Sequence, residues 1–375
     1  MLIVLDKSLC TIDDTQIESL HICLRNLRDA YFNRYHIVQI DDPSLRELLD
    51  ILKDGPLLDF ITILISNLTN RINPSQLSHV AYVKNIKRDE VHRIVNNGTT
   101  KIELSYLNFR NPTSSRETNL LCEFKEDGDF YKSVVNYYRK ANNLAHLFFK
   151  FSSLNGGGSS ICKIYKTRDE KDRFCLCISD SDKKTPHDEI GPTARCIKQI
   201  PENEIHIMSH LQVNENFQEI ENLFPLSLLH DFSSEDNLKR TFNLLKLLDD
   251  QKHAAISFFD LKEGLYLSSI KSCTILEYWE NVLRTLKYEV DIPNKKKLEK
   301  NKTNPLLPQR FHYKGKKLFF AGYQPKKDKQ KKLDQIKLKL IKGIDQSTID
   351  TFNVKNYDEL GKLIFSWSLS NYEVV

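Results

Sequence analysis

The chain has 375 residues, which suits two or three domains better than one core. Its 40% hydrophobic and 28% charged residues exclude wholesale disorder. The longest mainly apolar stretch, Phe60 to Ile65, is too short to span a bilayer, so the expectation is a cytoplasmic protein with no membrane contact. The net charge of +5 is unevenly placed: Lys295 to Lys342 holds 16 Lys and one Arg against three acids, a net of +14 that leaves −9 on the rest. An acidic body therefore carries a basic C-terminal segment.

The N-terminal MLIVL meets Asp6 too soon for a signal-peptide core and reads as a first buried strand. Apolar residues at helical spacing predict a helix over Ile17 to Tyr31, preceded by Thr and Asp residues suited to capping. HIVQI and HVAYV read as strands, and Leu45 to Leu52 and Leu57 to Leu68 as helices, so residues 1–112 form an N-terminal α/β domain of unknown role. Asp6 is an ordinary strand-end acid here, since no matching carboxylate cluster follows it. The polar break Asn111-Pro112-Thr113-Ser114-Ser115 is the first boundary. A second domain covers 113–229, and a helical, Lys-rich region covers 230–375, with helical patterns at Leu238 to Leu248 and Thr274 to Leu286. The eight cysteines include no CxxC pair and offer no second pair at zinc-ligand spacing, so they read as reduced thiols packed as small hydrophobes.

The middle of the chain holds the residues that suggest chemistry. Leu120-Leu121-Cys122 is a short strand followed at once by Glu123, with Asp127 four residues on and a helix predicted from about Asp129. Glu123 then sits at the carboxyl edge of a strand, where open α/β sheets place their sites. His146 to Phe151 reads as a strand running into Asn155-Gly156-Gly157-Gly158, three of the chain's 12 glycines in a row. Such a loop allows close backbone approach, but it lacks the Gly-Lys end of a P-loop. Arg173 to Ser179 predicts a buried strand ending in Asp180-Ser181-Asp182-Lys183-Lys184, a pair of hard-oxygen donors suited to Mg²⁺ or Mn²⁺. Glu204 to Met208 predicts a fourth strand, and Glu221 heads the apolar, Pro-ended patch Asn222 to Pro225.

A strand-end Glu, a glycine loop after the next strand and a strand-end DxD, in that order over Asn119 to Pro225, resemble the TOPRIM fold, a Rossmann-like domain with a mostly parallel sheet. DSDKK, EIENLFP and FFDLKEGL (Phe258 to Leu265) are similar to the OLD-like (overcoming lysogenization defect) nucleases of phage defence. The resemblance implies catalytic roles for Glu123, Asp127, Asp180, Asp182, Glu221 and Lys262. Glu123, Asp180 and Asp182 would be ligands to one or two Mg²⁺ (or Mn²⁺) ions, and Lys262 would stabilise developing phosphate charge. Where the family has Gly after the first Glu, this chain has Phe124, which would narrow the approach of nucleic acid or repack the strand end.

The function implied is metal-dependent hydrolysis of DNA or RNA, because carboxylates alone repel a phosphodiester and bound divalent cations offset that repulsion. Lys316, Lys317, Lys326 and Lys327, interleaved with Phe311, Tyr313, Phe319, Phe320 and Tyr323, would hold the nucleic acid. No Walker A motif occurs, so the ATPase usual in OLD proteins would be a separate ATPase or sensor protein acting as partner, and the resemblance allows a homodimer. A topoisomerase would need a further gating domain and a primase usually a zinc module. The alternative from another class is a non-catalytic TOPRIM-like module that binds nucleic acid or recruits partners.

Overall fold

The structure is a computed structural model that describes residues 1–231, 233, 236–266, 273–287, 318–321, 350 and 353–370. The chain is α/β with mixed, largely parallel sheets, and it forms two compact units. Residues 1–178, 196–212 and 357–375 make the first unit; residues 179–195 and 213–356 make the second.

In the first unit, β1 (Leu2–Leu5) is buried at every position, as expected of an unbroken apolar run in a parallel sheet. It lies between β2 (Ile37–Ile40) and β3 (His79–Lys84), parallel to both, with Val4 opposite Gln39 on one side and Tyr82 on the other. β3 pairs in parallel with β5 (Thr99–Ser105), and β4 (His92–Asn96) closes the edge antiparallel to β5. That hairpin has no counterpart in the sequence reading. Its turn is Asn97-Gly98, both at positive φ, the geometry that matches strand twist in a tight hairpin.

Helix α1 (Ile17–Phe32) buries Leu20, Cys23, Leu24, Leu27 and Ala30, an i, i+3, i+4, i+7 stripe. Of the predicted helix over Leu45 to Leu52, only α2 (Leu48–Ile51) is α-helical. Pro43 and the Asp42 cap start the preceding turn as a 3-10 helix. α3 (Gly55–Ser66) follows.

A second sheet of the first unit has the order Ser209–Val213 (β10), Cys175–Ser179 (β9), Thr118–Cys122 (β6) and Phe151–Asn155 (β8). β6 (Thr118–Cys122) is central and runs parallel to β8 (Phe151–Asn155) and β9 (Cys175–Ser179). The strand predicted over His146 to Phe151 is thus displaced towards the glycine loop. Only β7 (Phe148–Phe149) falls in its middle, paired with β13 (Leu369–Ser370). The strand predicted at Glu204 to Met208 is also displaced: Glu202–Glu204 is a 3-10 turn after Pro201, and β10 is Ser209–Val213.

Helix α4 (Asp127–Ala141) starts two residues before the predicted position and buries Phe130, Val134, Tyr137 and Tyr138. The C-terminal helix α10 (Val354–Ser368) packs on it. Gly361 makes the approach possible, since a Cβ there would fall 2.5 Å from Tyr138 Cβ. Tyr137 and Tyr357 meet edge to face at 5.2 Å.

Two cysteines depart from the reduced-thiol reading. Cys162, on α5 (Ile161–Thr167), and Cys196, on α6 (Pro192–Lys198), form a disulfide with Cα atoms 6.1 Å apart. Their spacing of 34 residues carries no motif, so only the fold brings them together. Cys10, Cys23, Cys122, Cys175 and Cys177 are thiols, and all but Cys10 are buried.

The second unit contains α7 (Leu226–Asp231), α8 (Asp236–Asp250), α9 (Cys273–Thr285) and an antiparallel pair, β11 (Gly264–Tyr266) with β12 (Leu318–Ala321). Its core includes Phe217, Phe224, Leu244, Leu248, Phe259 and Trp279. Trp279 meets Phe259 edge to face and donates its indole N–H to Lys184 O at 3.2 Å. Apart from β12, the Lys-rich segment lies outside the described residues, and with it the expected nucleic-acid contacts Lys316, Lys317, Lys326 and Lys327. Among the described residues, no helix is long and apolar enough to cross a membrane.

Candidate active site

The candidate residues fall into two groups, one in each unit. In the first unit, Glu123 follows β6 directly and is half-buried. The glycine loop after the adjacent β8 folds against this strand end. Gly156 N–H donates to Cys122 O at 2.7 Å, and Gly158 N–H donates to Glu123 O at 3.0 Å. A Cβ on Gly156 would lie 2.5 Å from Cys122 O, so close backbone approach accounts for that glycine. Gly157 and Gly158 both have left-handed φ, and Gly157 N–H donates to Asn155 Oδ1 at 3.0 Å. All three glycine amides are therefore taken by protein acceptors, two on the Glu123 strand end and one within the loop, so the loop braces that strand end and presents no amide cradle for phosphate.

Asp127 is 6% exposed at the start of α4, where its charge suits the helix dipole. Its carboxylate accepts the Phe124 N–H at 3.1 Å, while its own N–H donates to Phe124 O at 3.1 Å. Asp127 thus fixes the backbone beside Glu123.

The second unit holds the denser group. Asp180 follows β9 in the chain, is 9% exposed, and accepts the Ile220 N–H on Oδ2 at 3.1 Å. That contact ties it to the 3-10 turn Ile220–Leu223, which carries Glu221. Glu219 caps the turn: its side chain and that of Asn222 exchange hydrogen bonds with the turn's backbone in a capping box. Asn222 also donates to Phe259 O at 2.8 Å and Ile256 O at 3.3 Å, fastening the turn to the segment before Lys262. Asp260 accepts the Glu263 N–H at 2.7 Å and shapes the bend that presents Lys262.

Lys262 Nζ then lies 3.1 Å from Glu221 Oε2 and 3.2 Å from Glu219 Oε2. Glu221 is 2% exposed, so this ammonium compensates a carboxylate withdrawn from water. Lys184 pairs with Asp260 at 3.4 Å. Asp182 has a left-handed φ of 56°, and Gly191 leaves the room its side chain needs, since a Cβ on Gly191 would fall 2.5 Å from Asp182 Oδ2.

The electrostatics follow from burial and mutual repulsion. Burial raises Glu219 to about 7, helped by Glu221 and Asp260 and opposed by Lys262 and Lys184. Asp182 is also raised, first by burial and then by Asp260, against the pull of Lys184 and Lys262. Burial works against the charge of Lys262, but Glu221, Glu219 and Asp180 outweigh it and hold the ammonium protonated.

Carboxylate oxygens are the donors Mg²⁺ and Mn²⁺ prefer, so the chemistry of the group suits such an ion. The arrangement does not form a preassembled centre. Among the described residues no three His, Cys, Asp or Glu are grouped to hold a metal ion, and Lys262 already sits within ion-pair distance of two of the acids.

Of the expected residues, the fold brings Asp180, Glu221 and Lys262 together, with Asp182 in the same unit. Glu219, Asp260 and Lys184 are the members the sequence reading missed. The i, i+2 spacing of Glu219 and Glu221 was a visible signal, and Asp260 and Lys184 flank residues already singled out. Comparison with family models, with curated proteins and with solved structures returned no match to this chain.

Proposed function

We propose that this chain is a TOPRIM-like nuclease that hydrolyses phosphodiester bonds of DNA or RNA, with its chemistry centred on the acid–lysine group of the second unit. The observation that carries the reading is the meeting of Lys262 with Glu219 and Glu221 beside Asp180, directly after a parallel strand. Lys262, with Lys184, is the cationic group that would offset charge gathering on phosphoryl oxygens. Glu219, with its proton affinity lifted to about 7, is matched to accepting and returning a proton near neutral pH.

The requirement for Mg²⁺ or Mn²⁺ that the sequence resemblance implies belongs to this reading, as do a role in phage defence and a separate ATPase or sensor protein as partner. The test is cleavage of plasmid DNA, single-stranded DNA and bulk tRNA by the wild type and by the Asp180→Asn/Asp182→Asn double variant. The reading expects cleavage of at least one substrate and its loss in the variant. Equal cleavage by both proteins would refute the assignment of these aspartates. Binding of nucleic acid without cleavage of any substrate would favour the non-catalytic binding or recruiting module.

A further inference from the structure

Lys262 is committed twice over. Its ammonium lies 3.1 Å from Glu221 Oε2 and 3.2 Å from Glu219 Oε2, and a lysine neutralised by two carboxylates has little charge left to offer a phosphate. The two acids are firmly placed. Glu219 and Asn222 close the capping box of their turn, Asp180 accepts the Ile220 N–H, and Asn222 donates to Ile256 O and Phe259 O. Lys262 is held less firmly. It carries its charge on a flexible four-carbon stem, and its side chain is 36% exposed where that of Glu221 is 3% exposed. Glu219 Oε2 is buried and accepts no hydrogen bond, so its contact with Lys262 is an ion pair alone. A divalent cation carries twice the charge of an ammonium and favours carboxylate oxygens. Glu219 and Glu221 turn two such oxygens towards the one point that Lys262 Nζ holds.

We infer that Lys262 is a displaceable counter-ion: it keeps the seat between Glu219 and Glu221 until a divalent cation takes it, and is thereby released towards phosphate. The group then assembles in order, cation first and phosphate second. This also reconciles the two tasks of Lys262, compensating buried acids at rest and offsetting phosphate charge at work. The inference rests on the nuclease reading for the second destination of the lysine, and its test reads cation binding rather than cleavage.

The experiment is a calorimetric titration of the full chain with Mn²⁺, wild type beside Lys262→Met and Lys262→Met/Glu221→Gln, each checked for folding by circular dichroism. Lys262→Met should bind Mn²⁺ at least about tenfold more tightly than the wild type, because a positive charge at the seat no longer opposes the ion. Adding Glu221→Gln should abolish that gain. A second measurement needs only the wild type: lysine acetylation by an N-hydroxysuccinimide ester, read by peptide mass spectrometry, with Mn²⁺ or with sodium chloride at equal ionic strength. Mn²⁺ should speed acetylation of Lys262 and leave unchanged that of Lys166, which pairs with Glu204 in the first unit. Mn²⁺ binding no tighter in folded Lys262→Met than in the wild type, a gain that survives Glu221→Gln, or Lys262 acetylation unmoved at saturating Mn²⁺ would each overturn the inference and leave the nuclease reading standing. Mn²⁺ binding by none of the three proteins would overturn the inference and the metal requirement together.

Discussion

Glu219 links the chemistry of the second-unit group to its stability. Its side chain is 18% exposed, and it shares Lys262 with Glu221. In the unfolded chain its carboxyl titrates near 4.5, whereas in the folded protein burial raises it to about 7. The folded state therefore binds the proton more tightly than the unfolded state. This contribution is fully present below about pH 4.5 and is lost as pH rises through about 7. At about 1.4 kcal/mol per pH unit of difference, the span corresponds to about 3 kcal/mol.

Glu219→Gln removes the titration and leaves Lys262 paired with Glu221. The assay is urea unfolding at pH 5 and pH 8, followed by the fluorescence of Trp279. That residue is 2% exposed in the second unit, and a Trp367→Phe background silences the tryptophan of the first unit. The wild type should lose more stability between the two pH values than Glu219→Gln, by about 2–3 kcal/mol, since part of the span already falls below pH 5. Comparing the two proteins cancels the other titrating acids, among them Asp182. An identical pH dependence in both would show that Glu219 does not carry the raised proton affinity.

Asp180→Ala should destabilise the second unit by about 1–3 kcal/mol, because it leaves the buried Ile220 N–H without its acceptor, while Asp180→Asn should cost less because it keeps an oxygen there. Urea midpoints of the two variants check the order. Cys162→Ser should cost about 4 kcal/mol, the loop-closure entropy of a 34-residue spacing, and dithiothreitol should reproduce the loss in the wild type but not in the variant.

The elements that declared themselves in the sequence are those governed by local periodicity. β1 was legible because its apolar run stops at Asp6, too short for a helix, and α1 because its Leu and Cys residues recur at helical spacing. The strand-end positions of Glu123 and Asp180 were legible for the same reason, since each follows a short apolar run directly. The β4–β5 hairpin was missed although Asn97-Gly98 is a strong turn signal, because HRIVN is exposed throughout and lacks an apolar pattern.

Helix α10 was not assigned from the sequence. Its nearly continuous buried run from Leu363 to Ser368 reads equally as strand or helix until α4 is there to pack against. The disulfide could not be read because it depends on where α5 and α6 meet. The glycine loop was read for its freedom, which is real, but the destination of its amides is a tertiary fact. The pairing of Lys262 with Glu219 and Glu221 joins residues about 40 positions apart, a distance at which spacing carries no signal.

Cleavage of phosphodiesters by the acid–lysine group of the second unit is the proposed activity. It is tested most directly by single-turnover cleavage of a labelled single-stranded oligonucleotide with Mg²⁺, Mn²⁺ or EDTA, with wild type beside Glu221→Gln and Lys262→Met. Cleavage by the wild type should be metal-dependent, abolished by EDTA and reduced by at least about a hundredfold in each variant, the scale of losing one charge-stabilising group. Cleavage at the wild-type rate in either folded variant would contradict it.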